Sequence, residues 1–239
     1  MLTKEKQPVF KYYTLLAMLY SSILVISVLL DYRFITIGPM LASVATFIVS
    51  ITFFLSDVIA EVYGYRRGRK VVWAGVICLF GIGLITHLLD KLPAPQVYAN
   101  YAHAYHVILG LFFRACISNA IAIALGSVFN VYFISKWKTL VKGKYFWLRS
   151  LGSSAIGESL YTIFVVSLVN IGIVSPLHFL QILAVSYTFK IIFDSFAVIP
   201  ASLLVSFLKR AEGVDIYDFP LKFTPTKYQE RFAANKNSA

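Results

Sequence analysis

Charged residues are scarce in this sequence. Only 14% of its 239 residues are Asp, Glu, Lys or Arg, against about 25% in an ordinary soluble domain. Hydrophobic residues make up 59% of the chain, compared with roughly 45–50% in soluble proteins, and the mean hydropathy is +0.75. A soluble domain of this size could not hide so much apolar surface from water. The composition therefore excludes a soluble globular enzyme, a disordered chain and a coiled coil, and it indicates a polytopic helical membrane protein.

The residue types and motifs of catalysis and metal binding are also few. The two cysteines, Cys78 and Cys116, lie in apolar stretches without a CxxC motif, which is typical of small buried hydrophobes and excludes a disulfide scaffold. His103 and His106 have a metal-compatible spacing but no third ligand nearby. The GxxxxGK[ST], HEXXH and GxSxG motifs are absent. We therefore expect a protein that is not an enzyme, hydrolyses no ATP and uses no metal or cofactor.

The apolar residues fall into six runs, each near the roughly 20 residues that a helix needs to cross a bilayer. The runs cover residues 12–30, 34–56, 71–89, about 105–134, about 150–174 and about 179–208. They predict an all-α fold of six transmembrane helices in one domain. That domain covers residues 12–208, between an N-terminal tail of residues 1–11 and a C-terminal tail of residues 209–239. A re-entrant hairpin in the Pro-rich stretch 92–104 is the alternative.

Positive charge alternates between the connections of these runs. The two tails and the second and fourth connections together hold 18 Lys and Arg residues, whereas the first, third and fifth connections hold 2. Positively charged connections stay on the cytoplasmic side of a membrane. We therefore expect both termini in the cytoplasm. The net charge of +11 then reflects the cytoplasmic membrane face, and no nucleic-acid partner is expected.

Four ionisable residues interrupt the last three runs: Arg114, Glu158, Lys190 and Asp194. From the helical rise of about 1.5 Å per residue, we place all four near the bilayer midplane. Ionisable groups at that depth cost several kcal/mol unless they are paired or hydrated. They predict a site for a polar solute, with buried salt bridges that fix helix register as the alternative. Candidate polar partners in the same spans include Asn119 and Tyr161.

A second acidic pair lies near the end of the second run. Asp57 and Glu61 are one helical turn apart and therefore share a helix face. Gly64 is expected to end the helix, and four Lys and Arg residues follow at positions 66–70. The pattern fits either a salt-bridged helix end or a gate beside the site. If the helices adjoin, either carboxylate is within reach of Arg114.

Several motifs, in this order, resemble the VUT family of integral membrane queuosine-precursor transporters. The most specific is SDVIAEVYGYRRGRKVVWAG, residues 56–75. The others are Pro93-Ala-Pro95, ILGLFFRACIS (108–118), LGSVFNVYFISKWK (125–138), KGKYFWLRSLGS (142–153), Gly157-Glu158, SYTFK (186–190) with Asp194, LKRAEGVDIYD (208–218) and Phe223-Thr-Pro225. The resemblance covers roughly residues 20–225. One departure is Tyr161, which stands where the family usually has an acid.

The resemblance implies uptake of 7-cyano-7-deazaguanine, 7-aminomethyl-7-deazaguanine or queuine across the bacterial cytoplasmic membrane. A carboxylate can accept both N1–H and the amino group of such a base, and Glu158 is the first candidate for this role and Asp194 the second. Arg114 or Lys190 would donate to O6, and an aromatic ring would stack on the base. The alternative function is a substrate-binding membrane subunit of a multi-component vitamin-type uptake system. The sequence is compatible with a homodimer.

Overall fold

The computed structural model describes residues 10–170, 172–220 and 228–232. In chain order, the elements are α1 (Tyr13–Leu29), β1 (Phe34–Ile37), β2 (Met40–Ser43), α2 (Ala45–Tyr63), α3 (Tyr65–Leu89), a 3₁₀ turn (Gln96–Tyr98), α4 (Ala99–Leu140), α5 (Phe146–Asn170), α6 (Pro176–Glu212), β3 (Ile216–Pro220) and β4 (Tyr228–Phe232). The body of the protein is a bundle of these six helices. Residues 1–9, most of the predicted N-terminal tail, and the Phe223-Thr-Pro225 motif lie outside the described residues.

Five of the described helices, α2 to α6, are long and apolar enough to cross a membrane. The first helix is apolar but has 17 residues, which corresponds to about 26 Å at 1.5 Å per residue. That length is slightly less than the roughly 30 Å of a bilayer's hydrocarbon core. The structure therefore supports an all-α polytopic membrane protein. The count of six spans, with both termini in the cytoplasm, stays a prediction.

The second predicted run, residues 34–56, is not one helix. Its first part forms an antiparallel hairpin in which Phe34 pairs with Ser43 and Ile37 with Met40. Gly38 makes the turn with a positive φ of 59°, and Pro39, which follows it, is incompatible with a helix interior. The helix α2 begins only at Ala45 and ends at Gly64, whose φ is 83°. The predicted stop at Gly64 is thus confirmed, whereas the predicted start of this span was wrong.

Three of the other helices, α3, α4 and α6, extend beyond their predicted bounds. The first helix lies within its predicted run, and α5 begins and ends about four residues earlier than predicted. The third begins at Tyr65, six residues before the predicted start, and α4 extends at both ends to 42 residues. Residues 99–104 form the first turns of α4, so the alternative of a re-entrant hairpin at 92–104 is wrong. The last helix begins at Pro176, where the side chain of Ser175 caps it by accepting from the backbone N–H of His178 at 3.3 Å.

Packing places α2 inside the bundle. Of its most apolar stretch, 78% is buried, against 28% for α3 and 22% for α6. The closest helix crossing joins α4 and α5, where a Cβ built on Gly126 would lie 2.6 Å from the carbonyl oxygen of Gly157. Small residues on α4, including Ala115 and Ala122, are fully buried. The fourth helix is therefore tightly packed against α5, and this crossing brings the polar face of α5 close to α4.

The first and last helices are joined at one end of the bundle. The carboxylate of Glu212, the last residue of α6, accepts hydrogen bonds from the backbone N–H groups of Lys11 and Tyr12 at 2.9 and 2.7 Å. It also accepts one from the hydroxyl of Tyr63 at 2.9 Å. We call this the tail end of the bundle, and the opposite end, where β1 and β2 lie, the hairpin end.

Candidate functional site

A small cavity of about 30 Å³ lies between β2, α2, α5 and α6, toward the hairpin end. Apolar side chains of α5 such as Val165 and Val166 form part of its wall. Its polar lining residues are Asp31, Ser43, Thr46, Tyr161, Thr162, Asn170, Ser186 and Lys190. Because a purely structural helix bundle has no need for eight polar residues around one cavity, this is the candidate site.

Lys190 is the central cation of this site. The residue is 1% exposed, and its ammonium group donates to Thr162 Oγ1 at 2.8 Å. The same nitrogen lies 4.2 Å from the centroid of the Tyr161 ring, a cation–π contact that is strengthened where water is excluded. Lys190 thus connects α6 to α5 through two neighbouring side chains.

Two acids lie near Lys190 without hydrogen-bond partners. Glu158 is fully buried, and neither of its carboxylate oxygens is hydrogen-bonded within the described part of the chain. Asp194 is 8% exposed, and its Oδ2 is likewise unpartnered there. Both carboxylates interact electrostatically with Lys190. Buried carboxylates are normally hydrogen-bonded, so this pair has unused capacity to accept hydrogen bonds.

A hydrogen-bonded chain leads from Tyr161 to an acid that sequence reasoning missed. The hydroxyl of Tyr161 donates to Asn119 Oδ1 at 2.6 Å, and the amide nitrogen of Asn119 donates to Asp31 Oδ2. Asp31 precedes the hairpin and had been assigned to an external connection. Its position after the first apolar run carried no signal that it would fold back into the bundle.

Arg114 does not share the depth of Glu158. Its Nε and Nη2 donate to the carbonyl oxygen of Leu168 at 3.2 and 3.0 Å. Leu168 is ten residues beyond Glu158 on α5, which is about 15 Å along the helix. The prediction that Arg114 and Glu158 lie at the same depth was therefore wrong, and Arg114 lies nearer the hairpin end.

Asp57 lies on the other side of Glu158, toward the tail end. Its carboxylate accepts from Asn130 Nδ2 at 2.6 Å, from Ser154 Oγ at 3.1 Å and from Ser150 Oγ. Three donors satisfy this buried acid, which is 1% exposed. The arrangement binds α2 to both α4 and α5, and it continues the row of buried polar groups through the bundle.

Glu61 is the centre of a charge cluster that closes the tail end. It accepts from Arg149 Nη1 and from Lys209 Nζ, both at 2.7 Å. Lys138 lies 3.7 Å away and donates to the Glu61 carbonyl oxygen and to Asp215 Oδ1. The cluster joins α2, α4, α5, α6 and the segment after α6. Glu61 therefore pairs with these cations and not with Arg114.

Sequence reasoning missed this cluster because Lys138 and Arg149 were counted as loop cations, although each is 2% exposed. The charges of this cluster also affect the pKa of Asp215, which lies outside the membrane-spanning segments. Burial acts to raise the pKa of the Asp215 carboxyl, but the ammonium groups of Lys138 and Lys209 outweigh it and hold that pKa below its ordinary value of 3.8. Within the described residues, no group of three His, Cys, Asp or Glu side chains is placed to hold a metal ion.

Comparisons with known proteins identify the family of this chain. The model of the family described as "Putative vitamin uptake transporter" matches residues 43–205, more than half of the chain. A "Probable queuosine precursor transporter" from Bacillus subtilis (strain 168) is 26% identical over 140 residues, which cover 58% of this chain and 60% of that protein. The alignment thus spans less than two thirds of the relative's length. No solved structure matches the chain.

The family match covers α2 to α5 and most of α6, and so it includes the proposed sites on those helices. The motif at residues 56–75 lies inside it, whereas the motif at residues 208–218 lies beyond it. Helices long enough to cross a membrane and a buried polar site are what a carrier of small polar molecules requires. The chain belongs to the family described as "Putative vitamin uptake transporter", and its long apolar helices are those of a multi-pass membrane protein.

Proposed function

We propose that this transporter imports 7-deazaguanine precursors of queuosine across the bacterial cytoplasmic membrane. The candidate substrates are 7-cyano-7-deazaguanine, 7-aminomethyl-7-deazaguanine and queuine. The observation that carries the proposal is the buried set of Glu158, Lys190 and Tyr161 beside the cavity, which offers an acceptor, a donor and an aromatic ring. The name of the Bacillus relative supports the same substrate class.

The base would be recognised along its polar edge. Glu158 has two free carboxylate oxygens, which suit the paired N1–H and amino donors of a guanine-like base. Lys190 would donate to O6, and Asp194, one turn away on α6, would hold the ammonium group in place. Tyr161 supplies an aromatic face, and Asn119 fixes its hydroxyl. Each of these roles is part of the proposal.

Binding requires the cavity to grow. Its volume of about 30 Å³ is roughly a tenth of the smallest of the 300–1,000 Å³ pockets that hold small molecules. Among the described residues, two side-chain hydrogen bonds close it on the α6 side, one between Ser186 and Thr46 at 2.9 Å and one from Lys190 to Thr162 at 2.8 Å. We propose that α6 moves away from α2 and α5, and that the base's O6 replaces Thr162 as the acceptor of Lys190.

The remaining predicted residues lie on the path on either side of the cavity. Arg114 would provide a cation near the hairpin end, and Asp57 a satisfied acid beyond Glu158. Glu61 and its three cations would form the gate at the tail end. With both termini in the cytoplasm, that gate faces the cytoplasm and opens after the hairpin end has closed. The transport direction is then inward.

Uptake in cells tests the substrate class. A bacterium that cannot make queuosine precursors and lacks its own importer would express this chain and receive each base at nanomolar concentration. We expect at least one base to restore queuosine in tRNA. The Glu158→Gln variant should be inactive, and the Lys91→Met variant, which changes an exposed residue, should be active and serves as the control. No queuosine with any base, despite protein in the membrane, would contradict the proposal.

Transport by the purified chain tests whether it acts without an energising partner. We expect proteoliposomes that contain only this protein to accumulate or equilibrate the base faster than empty vesicles. The family assignment is to a transporter and gives no support to the alternative of a binding subunit. Uptake in cells combined with no flux in vesicles would overturn the single-component proposal.

A further inference from the structure

The acid in the cavity lining, Asp31, has no role in recognising the guanine edge. Asp31 lies between α1 and β1, lines the cavity and is 8% exposed. The hydroxyl of Ser43 donates to its backbone carbonyl at 2.8 Å, and the amide of Asn119 donates to its Oδ2. Both contacts hold the residue in place. This carboxylate is therefore part of a built site and not a loop side chain that happens to lie near it.

The order of charges along the site is acid, cation, acid. The charge of Lys190 interacts with Glu158 and also with Asp31. Glu158 in turn interacts with Asp57 toward the tail end, and Asp31 bonds to Asn119 toward the hairpin end. Tyr161 contacts both Lys190 and Asn119: its ring lies under the ammonium group of Lys190, and its hydroxyl is bound to Asn119. Lys190 contacts the turn of α5 that follows Glu158, and it therefore lies on the Asp31 side of Glu158.

A 7-deazaguanine has functional groups in a matching order. The amino group and N1–H donate, O6 accepts, and the substituent at position 7 lies next to O6 on the same side of the base. With N1–H at Glu158 and O6 at Lys190, the 7-substituent points toward Asp31. A carboxylate at that place favours a cation and disfavours a nitrile, whose nitrogen is an acceptor.

The charge balance supports the same conclusion. Within the described residues, three carboxylates surround the site, those of Asp31, Glu158 and Asp194, and Lys190 is the one cation whose charge acts on all three. A surplus of carboxylates in a membrane interior is costly. A ligand that brings its own positive charge reduces that cost, because it pairs with an acid that Lys190 cannot also neutralise.

We propose that Asp31 selects 7-deazaguanines whose 7-substituent carries a protonated amine, over the uncharged 7-cyano base. The inference rests on the proposed function and names the substrate class within it. Both 7-aminomethyl-7-deazaguanine and queuine meet the criterion. Asp31 acts here as a specificity-determining residue, while Glu158 and Lys190 recognise the part that all three bases share.

Competition between two bases of nearly equal size tests this selection. Proteoliposomes with the purified wild-type protein would take up labelled 7-aminomethyl-7-deazaguanine in the presence of either unlabelled base. We expect the aminomethyl base to compete at least about ten times better than the cyano base, which corresponds to about 1.4 kcal/mol. Equal competition, or better competition by the cyano base, would overturn the inference.

The matched variants are Asp31→Asn and Asp90→Asn. The first removes the charge but keeps a carbonyl oxygen for the Asn119 amide, and the second changes an acid that pairs with His106 outside the cavity. We expect Asp31→Asn to abolish the preference by weakening the aminomethyl base alone, and Asp90→Asn to preserve it. A loss of equal size for both bases in Asp31→Asn would contradict a selective role.

Two further results separate the possible failures. If Asp31→Asn does not reach the membrane, the wild-type preference and the charge-retaining Asp31→Glu variant decide the question. Flux of both bases without preference overturns the role of Asp31 and leaves the proposed function standing. If none of the three bases enters the vesicles or competes, the proposed function is overturned, and the selectivity inference with it.

Discussion

The ammonium group of Lys190 donates to the hydroxyl of Thr162 at 2.8 Å, across the interface between α6 and α5. Both residues are about 1% exposed. A buried lysine that is held by one neutral hydroxyl keeps two further donor positions. The ammonium group can therefore exchange the Thr162 hydroxyl for a substrate oxygen. When no substrate is bound, the hydrogen bond to Thr162 holds the cavity closed.

Replacing Lys190 by Met is expected to weaken substrate binding. The side chain keeps its length and apolar stem but loses the charged donor, and a hydrogen bond from a charged group is worth about 1.5–3 kcal/mol. We predict at least a tenfold loss of affinity, measured by scintillation proximity with labelled base. Lys91→Met, which removes an exposed cation, is the control and should bind normally. Unchanged binding by Lys190→Met would exclude this lysine from the site.

Glu158→Gln is expected to abolish transport without lowering the thermal stability of the protein. The variant removes a buried charge whose oxygens have no hydrogen-bond partner among the described residues, so the thermal midpoint in detergent should stay equal or rise. Uptake should fall to background because an amide cannot accept from both donors of the base. The test combines a thermal melt with vesicle uptake. A fall in both quantities would instead indicate a structural role.

Breaking the charge cluster at the tail end should destabilise the protein. Removing one partner of a buried ion pair typically costs about 3–5 kcal/mol, so Glu61→Gln should lower the thermal midpoint clearly. The double variant Glu61→Gln/Arg149→Met leaves fewer unpaired charges, and it should lose less than the sum of the two single losses. Additive losses would show that the pair at 2.7 Å contributes no coupling.

Acid should weaken the contact of Asp215 with its two lysines. Because the folded pKa of Asp215 is below 3.8, its stabilising contribution is complete above that pH and is lost as the pH falls through the folded value. We expect Asp215→Asn to be less stable than the wild type near pH 6, with a smaller difference below about pH 3. Thermal melts of both proteins across this range test the sign, and a difference that grows on acidification would refute it.

The crossing of α4 and α5 should not tolerate an added methyl group. A Cβ at Gly126 would lie 2.6 Å from a backbone oxygen and 2.7 Å from Tyr161 Cβ, and overpacking of this kind costs typically about 1–3 kcal/mol. Gly126→Ala should therefore lower both thermal stability and uptake. Gly110→Ala, on the same helix with nothing within 4 Å of its Cβ, is the control. Equal behaviour of the two variants would argue against a rigid crossing.

Hydropathy predicted the number of helices and their approximate centres because a bilayer imposes a length on each apolar run. It did not predict the hairpin at residues 34–43, which is as apolar as the helix that follows it. The turn at Gly38 and Pro39 was the available signal. Helix ends were also misplaced, because aromatic and basic residues at the membrane surface continue α3 and α4 beyond their most apolar parts.

Charges inside the spans led to Glu158, Lys190 and Asp194, because an ionisable residue in an apolar run is visible without a structure. Asp31, Lys138 and Arg149 were not visible in this way, since each lies outside the apolar runs and becomes buried only when the chain folds back. Arg114 was detected, but its depth relative to Glu158 was wrong, because the sequence does not show that it contacts Leu168 on α5. Long-range pairing between helices decided all four cases, and spacing along one helix cannot reveal it.

The bond between Glu212 and the backbone of Lys11 and Tyr12 affects how this protein is made. The first helix has no side-chain cap of its own, and the two N–H groups just before its first residue are bound by the last residue of the final helix. A ribosome delivers α1 to the membrane long before α6 is complete. The hydrogen bonds between Glu212 and the start of the first helix can therefore form only when synthesis of the bundle is nearly finished.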